Sequence, residues 1–152
     1  MPLISRAAVS GLLLLVCLVA AAPPARAAIE IEPGMWQDTE TGEENGQPAK
    51  PEVSTDCITP EEAKDPVKSL SVMKDTVGQC KKLDIQQKGN VVSIVMLCGD
   101  PKEMSIDLTA TYTFLNRRHY TGAMKSVVIL AGKKTTANKL IDSKWIGATC
   151  KK

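Results

Sequence analysis

The stretch Ile106-Asp107-Leu108-Thr109-Ala110-Thr111-Tyr112-Thr113-Phe114 alternates without a break between apolar and polar side chains. A period of two belongs to a strand with one face buried and the other wet. Ile106, Leu108, Ala110, Tyr112 and Phe114 therefore share the buried face.

The partner strand follows from the same count. Asn116-Arg117-Arg118 reads as a polar loop tip, and Tyr120 to Leu130 as the strand that returns from it. Phe114 then faces Tyr120, Tyr112 faces Gly122, Ala110 faces Met124 and Ile106 faces Val128. Each pair sets an apolar or small side chain beside an apolar one, with a ring over a glycine. A slip of one residue puts Lys125 opposite Leu108, so the pattern rejects it.

Upstream, Gly99-Asp100-Pro101-Lys102 is a turn and Val91 to Cys98 a nearly continuous apolar strand. Lys88-Gly89-Asn90 is turn chemistry, preceded by Leu83 and Ile85 alternating with Lys82, Asp84 and Gln86. Downstream, Ala131-Gly132 turns into a last stretch ending at Cys150. Strands joined by such short turns make the fold mainly β: an antiparallel meander, either a curved sheet or a partial barrel.

The first part of the chain adds shorter pieces. Pro33-Gly34 is a turn, Trp36 to Thr41 a strand, Gly42 to Pro51 a loop and Val53 to Cys57 a second short strand. Thr59-Pro60-Glu61-Glu62 starts one short N-terminal helical segment. Thr59 is placed to cap it, Pro60 suits the first helical position, and Glu62 closes a capping box. Pro66 interrupts this helix, and Val67, Leu70 and Met73 give a weaker helical spacing.

Met1 to Ala27 has the pattern of a signal peptide: Arg6, an apolar run from Ala7 to Ala22, and the small-x-small site Ala25-Arg26-Ala27. The run is shorter than a spanning helix needs, and Pro23-Pro24 ends it. The expected product is a single domain over residues 28–152, periplasmic or secreted, with no membrane span. Its net charge falls to zero once Arg6 and Arg26 are removed, which gives no argument for nucleic acid as a partner. Neutrality hides an acidic stretch to Pro66 followed by a basic remainder, an arrangement expected to pair internally.

Beyond Cys17 the cysteines are Cys57, Cys80, Cys98 and Cys150. An even number in an oxidising compartment reads as disulfide staples. No C-x-x-C pair suggests redox chemistry, and the spacings do not suit zinc. A three-residue loop at Lys88-Gly89-Asn90, closed by Gln87 and Val91, sets Cys80 opposite Cys98, leaving Cys57 for Cys150. Were Gly89-Asn90 alone the loop, Cys80 would face Gly99. The rival pairing of Cys57 with Cys80 and Cys98 with Cys150 joins opposite ends of an up-and-down sheet, so Cys80–Cys98 is preferred.

Pro33-Gly34-Met35-Trp36, Cys57-Ile58-Thr59-Pro60-Glu61-Glu62, the Cys80 to Cys98 hairpin and Gly147-Ala148-Thr149-Cys150 occur in that order. This combination resembles a family of small exported bacterial proteins known as domain of unknown function 3617. The chain departs from it at Gln37, where an acidic residue is common. The resemblance implies a periplasmic four-cysteine β domain and brings no activity or ligand with it.

No catalytic or cofactor motif is present, and no cofactor or metal is expected. His119, the only histidine, sits beside Arg117-Arg118 without a nucleophile or an orienting partner, so it reads as a solvated tip residue. Met35, Met73, Met96, Met104 and Met124 read as core filling, and Trp36 with Trp145 as a core pair. The expectation is a non-catalytic periplasmic accessory protein that touches an unknown envelope partner. The alternative is a binding protein that holds an apolar small molecule on a concave sheet face carrying Ile106, Leu108, Tyr112 and Phe114.

Overall fold

The computed structural model describes residues 28–71, 80–100 and 102–150. The expected signal peptide and Met73 lie outside the described residues. The elements are β1 (Gly34–Glu44), β2 (Gln47–Pro48), β3 (Glu52–Ile58), α1 (Pro60–Lys64), α2 (Pro66–Ser71), β4 (Cys80–Lys88), β5 (Val91–Asp100), β6 (Met104–Asn116), β7 (His119–Leu130) and β8 (Lys133–Gly147).

The alternating strand at the centre of the sequence argument becomes β6, and its odd and even residues separate as the period requires. Ala110 and Phe114 are buried while Thr109 and Thr111 are exposed. Its pairing with β7 is the expected one: Phe114 with Tyr120, Tyr112 with Gly122, Ala110 with Met124 and Ile106 with Val128. β4 to β8 form an antiparallel meander in chain order, and β1 joins it beyond β8. β1 in turn carries β3 along its first part and β2 at its end. The sheet is open, with β4 at one edge and β2 and β3 at the other.

Two turns differ from expectation in the same way. The β4–β5 loop is Gly89-Asn90 alone, with Lys88 opposite Val91. Gly89 sits at φ 60° in the first loop position, which suits a type II′ hairpin turn. The ladder nevertheless brings Cys80 opposite Cys98, because one extra residue, Lys81, bulges out between Cys80 and Lys82. The β6–β7 loop is likewise Arg117-Arg118, with Leu115 bulged between Phe114 and Asn116. Each three-residue loop of the sequence reading is thus replaced by a tighter turn and a bulge. The pairings survive; the turn geometry assigned to them does not.

Both disulfides have the expected connectivity, with Cα separations of 5.5 Å for Cys57–Cys150 and 3.8 Å for Cys80–Cys98. The first clips the outer strand β3 to the segment after β8, across the intervening β1.

One face of the sheet is covered. Its core holds Trp36, Val92, Ile94, Ala110 and Phe114, closed over by Ile31 and Ala63, with Ile29 and Val67 alongside. The helical segment is divided at Pro66, as expected, into two short helices. Thr59 caps α1 with the full capping box, and Pro66 ends it and opens α2.

Candidate functional site

Ile29 to Pro33 crosses the covered face as a strap. The Ile31 amide donates to the Ala63 carbonyl in α1 at 3.0 Å, and the Glu32 amide to the Arg117 carbonyl in the β6–β7 turn at 2.7 Å. Two indoles hold it from the sheet: Trp36 Nε1 donates to the Glu32 carbonyl at 2.9 Å and Trp145 Nε1 to the Pro33 carbonyl at 3.0 Å. Trp36 and Trp145 stand opposite each other on β1 and β8, so the expected core pair exists and also anchors the strap.

The acidic stretch meets its complement here. The Arg117 guanidinium lies 3.8 Å from Glu30 and 3.6 Å from Glu32, and Lys139 on β8 pairs with Glu40 on β1. Arg118 lies over the Trp145 ring, 4.5 Å from its centroid. His119 is not simply solvated: its Nε2 pairs with Asp142, which also accepts from Lys144. Those two hydrogen bonds, Lys144's first, hold the Asp142 carboxyl below its ordinary value.

Between the strap, the helices and the sheet lies an open-sided cavity of about 270 Å³. Three rings from β6 and β7 form its floor: Tyr112, Phe114 and Tyr120. Tyr120 is their hub, 5.3 Å from Phe114, 6.1 Å from Tyr112 in a T-shaped contact, and 5.4 Å from Trp36 behind it. Ile31, Ile58 and Pro66 supply aliphatic wall, and Asp56 and Glu62 complete the lining. Burial pushes the Tyr120 phenol up to about 12 and raises Tyr112 as well, so both rings stay neutral.

Each wall residue is placed by a local rule. The alternation of β6 turns Tyr112 and Phe114 to the covered face, and the register sets Tyr120 beside Phe114. The capping box places Glu62. Thr59 donates to its carboxylate from both backbone nitrogen and hydroxyl at 2.8 Å, and these bonds hold its carboxyl below the ordinary value. Asp56 projects from β3 opposite Trp36.

Of the four residues expected on a ligand face, the structure brings Tyr112 and Phe114 together in this cavity. Leu108 packs against the core, and Ile106 lies further along β6, opposite Cys98 on β5. Tyr120, Asp56 and Glu62 were not singled out as site residues by sequence. The pairing of Phe114 with Tyr120 was the available signal for the first. For Asp56 there was none, since its position depends on β3 lying outside β1. Among the described residues, no group of acidic, histidine and cysteine side chains is arranged to hold a metal ion.

The family model for DUF3617, "Protein of unknown function", matches residues 31–150. No curated protein and no solved structure matches the chain.

Proposed function

The chain belongs to the DUF3617 family, and we propose that it is an exported, non-catalytic binding protein that holds a small, mostly apolar molecule in the cavity between the helices and the sheet. The observation behind this reading is the ring floor, Tyr112, Phe114 and Tyr120, left facing an open space beneath the strap and the two helices. Pockets of this make, apolar with a few convergent polar groups, are where ligands bind. The volume is just under the usual range for drug-sized ligands, which points to a smaller molecule.

Export is part of the proposal. The small-x-small site at Ala25-Arg26-Ala27 and the two disulfides support a mature chain that begins at Ala28 in an oxidising compartment. N-terminal sequencing of the exported protein should read Ala28 first; Met1 at the front would refute it.

Native mass spectrometry of protein taken from its own envelope tests the binding role. The expected spectrum carries a retained small molecule, lost when the half-buried wall residue Ile58 is changed to Lys in a variant that still folds. A bare chain accompanied by a retained protein would favour the second reading, an accessory protein docking through the sheet edge. That reading draws on β3, whose residues from Glu52 to Cys57 are all exposed.

A further inference from the structure

Building on the binding role just proposed, we infer that the cavity takes a small organic cation, an ammonium group on an apolar body, in preference to a neutral or anionic molecule. The rings and the charges both point this way. Tyr112, Phe114 and Tyr120 present π-faces and edges around one space, and a cation over such a face is attracted to its quadrupole. Asp56 and Glu62 add two carboxylates at the same wall, and no Lys, Arg or His lines the cavity among the described residues.

Four other carboxylates already have cations of their own. Glu30 and Glu32 have Arg117, Glu40 has Lys139, and Asp142 has Lys144 and His119. Asp56 has no such cation among the described residues, and its neighbour Asp38 adds a further negative charge close to Tyr120. Glu62 is held ionised and fixed in direction by Thr59, so its charge is in place before any ligand arrives. A neutral apolar guest would use the rings and leave these charges beside an apolar body. An anion would meet them directly. A cation satisfies both, and a cavity of about 270 Å³ suits a small one.

The test is calorimetric titration of the exported, disulfide-bonded protein with benzyltrimethylammonium, benzyl alcohol and benzoate. The cation should bind about tenfold or more tightly than the alcohol, and benzoate most weakly. The variant Asp56→Asn with Glu62→Gln keeps a capping-box side chain, should melt within a few degrees of the parent, and should bring the cation to parity with the alcohol. Saturable binding of the alcohol as tight as that of the cation would overturn the cation preference and leave the binding role standing. A cation preference that survives in the folded double variant would also overturn the assignment. Absence of saturable binding by all three probes would remove both the preference and the binding role.

Discussion

The ring of Tyr112 fills the space over Gly122 where a side chain would begin. A Cβ built on Gly122 stands 2.9 Å from both Tyr112 Cδ1 and Cε1 and 3.4 Å from the Ile141 Cβ. The backbone of Gly122 is ordinary strand, so volume alone makes glycine necessary here. Gly122→Ala should therefore destabilise by about 1–3 kcal/mol, the usual range for overpacking. Urea unfolding measures it. Combined with Tyr112→Leu, the loss should fall well short of the sum of the two single changes.

A pH profile should expose Asp38. Its carboxyl sits above its ordinary value of 3.8, chiefly because it is buried, with the charges of Asp56 and Glu40 pushing the same way. The Ser143 hydroxyl, opposite it on β8, and the Tyr120 phenol pull the other way without cancelling the shift. A folded-state value above the unfolded one contributes stability that is complete below 3.8 and is lost as pH rises through the folded value. Asp38→Asn should thus raise Tm at pH 7, and the gain should vanish at acid pH. Glu62 works in the opposite sense. Its lowered carboxyl contributes stability above 4.5 that is lost as pH falls through the folded value, and Glu62→Gln should flatten that acid limb.

The two disulfides should differ in weight. Cys57–Cys150 spans 93 residues and Cys80–Cys98 spans 18. Chain-entropy reasoning gives about 4–5 kcal/mol for the first and about 3 kcal/mol for the second. Replacing Cys57 and Cys150 by Ala should lower stability more than replacing Cys80 and Cys98. Peptide mapping without reductant should recover both linkages, and a peptide joining Cys57 to Cys80 would contradict the fold.

The strap gives a comparison between charge and burial. Arg117 and Glu30 are largely exposed and Glu32 partly so, and Arg117→Ala should cost no more than about 1 kcal/mol. Trp36 is fully buried and its indole N–H bonds the Glu32 carbonyl. Trp36→Phe leaves that carbonyl unpaired and opens space, so its cost should be larger, about 2–3 kcal/mol. Amide exchange at Ile31 and Glu32 should accelerate in the tryptophan variant far more than in the arginine one.

What sequence could supply was whatever depends on period and pairing. The alternation from Ile106 to Phe114 fixes a face, and apolar complementarity fixes its register with β7, so both emerged correctly. The capping box at Thr59 is equally local. The two-residue turns at Gly89-Asn90 and Arg117-Arg118 escaped because a bulge restores the same partners further along, and a side-chain pattern cannot distinguish the two routes. The strap, the place of β1 beside β8, and hence Asp56 and Asp38 near Tyr120, rest on contacts between distant parts of the chain. No short-range spacing in Ile29 to Asp56 reports them.

The extra residue at Lys81 has an effect beyond the disulfide it aligns. β4 is an edge strand, and its outer rim offers unpaired amides and carbonyls to any other extended chain. The bulge interrupts that rim and sets two exposed lysines, Lys81 and Lys82, side by side, while the opposite rim on β3 carries Glu52 and Asp56. Straightening the strand with Lys81 in place would set Lys81 opposite Cys98 and carry Cys80 on to Gly99, so the disulfide holds the bulge; deleting Lys81 would instead leave Cys80 opposite Cys98 in a regular ladder. An open sheet is in this way guarded against pairing through its β4 edge, and the guard is locked in covalently.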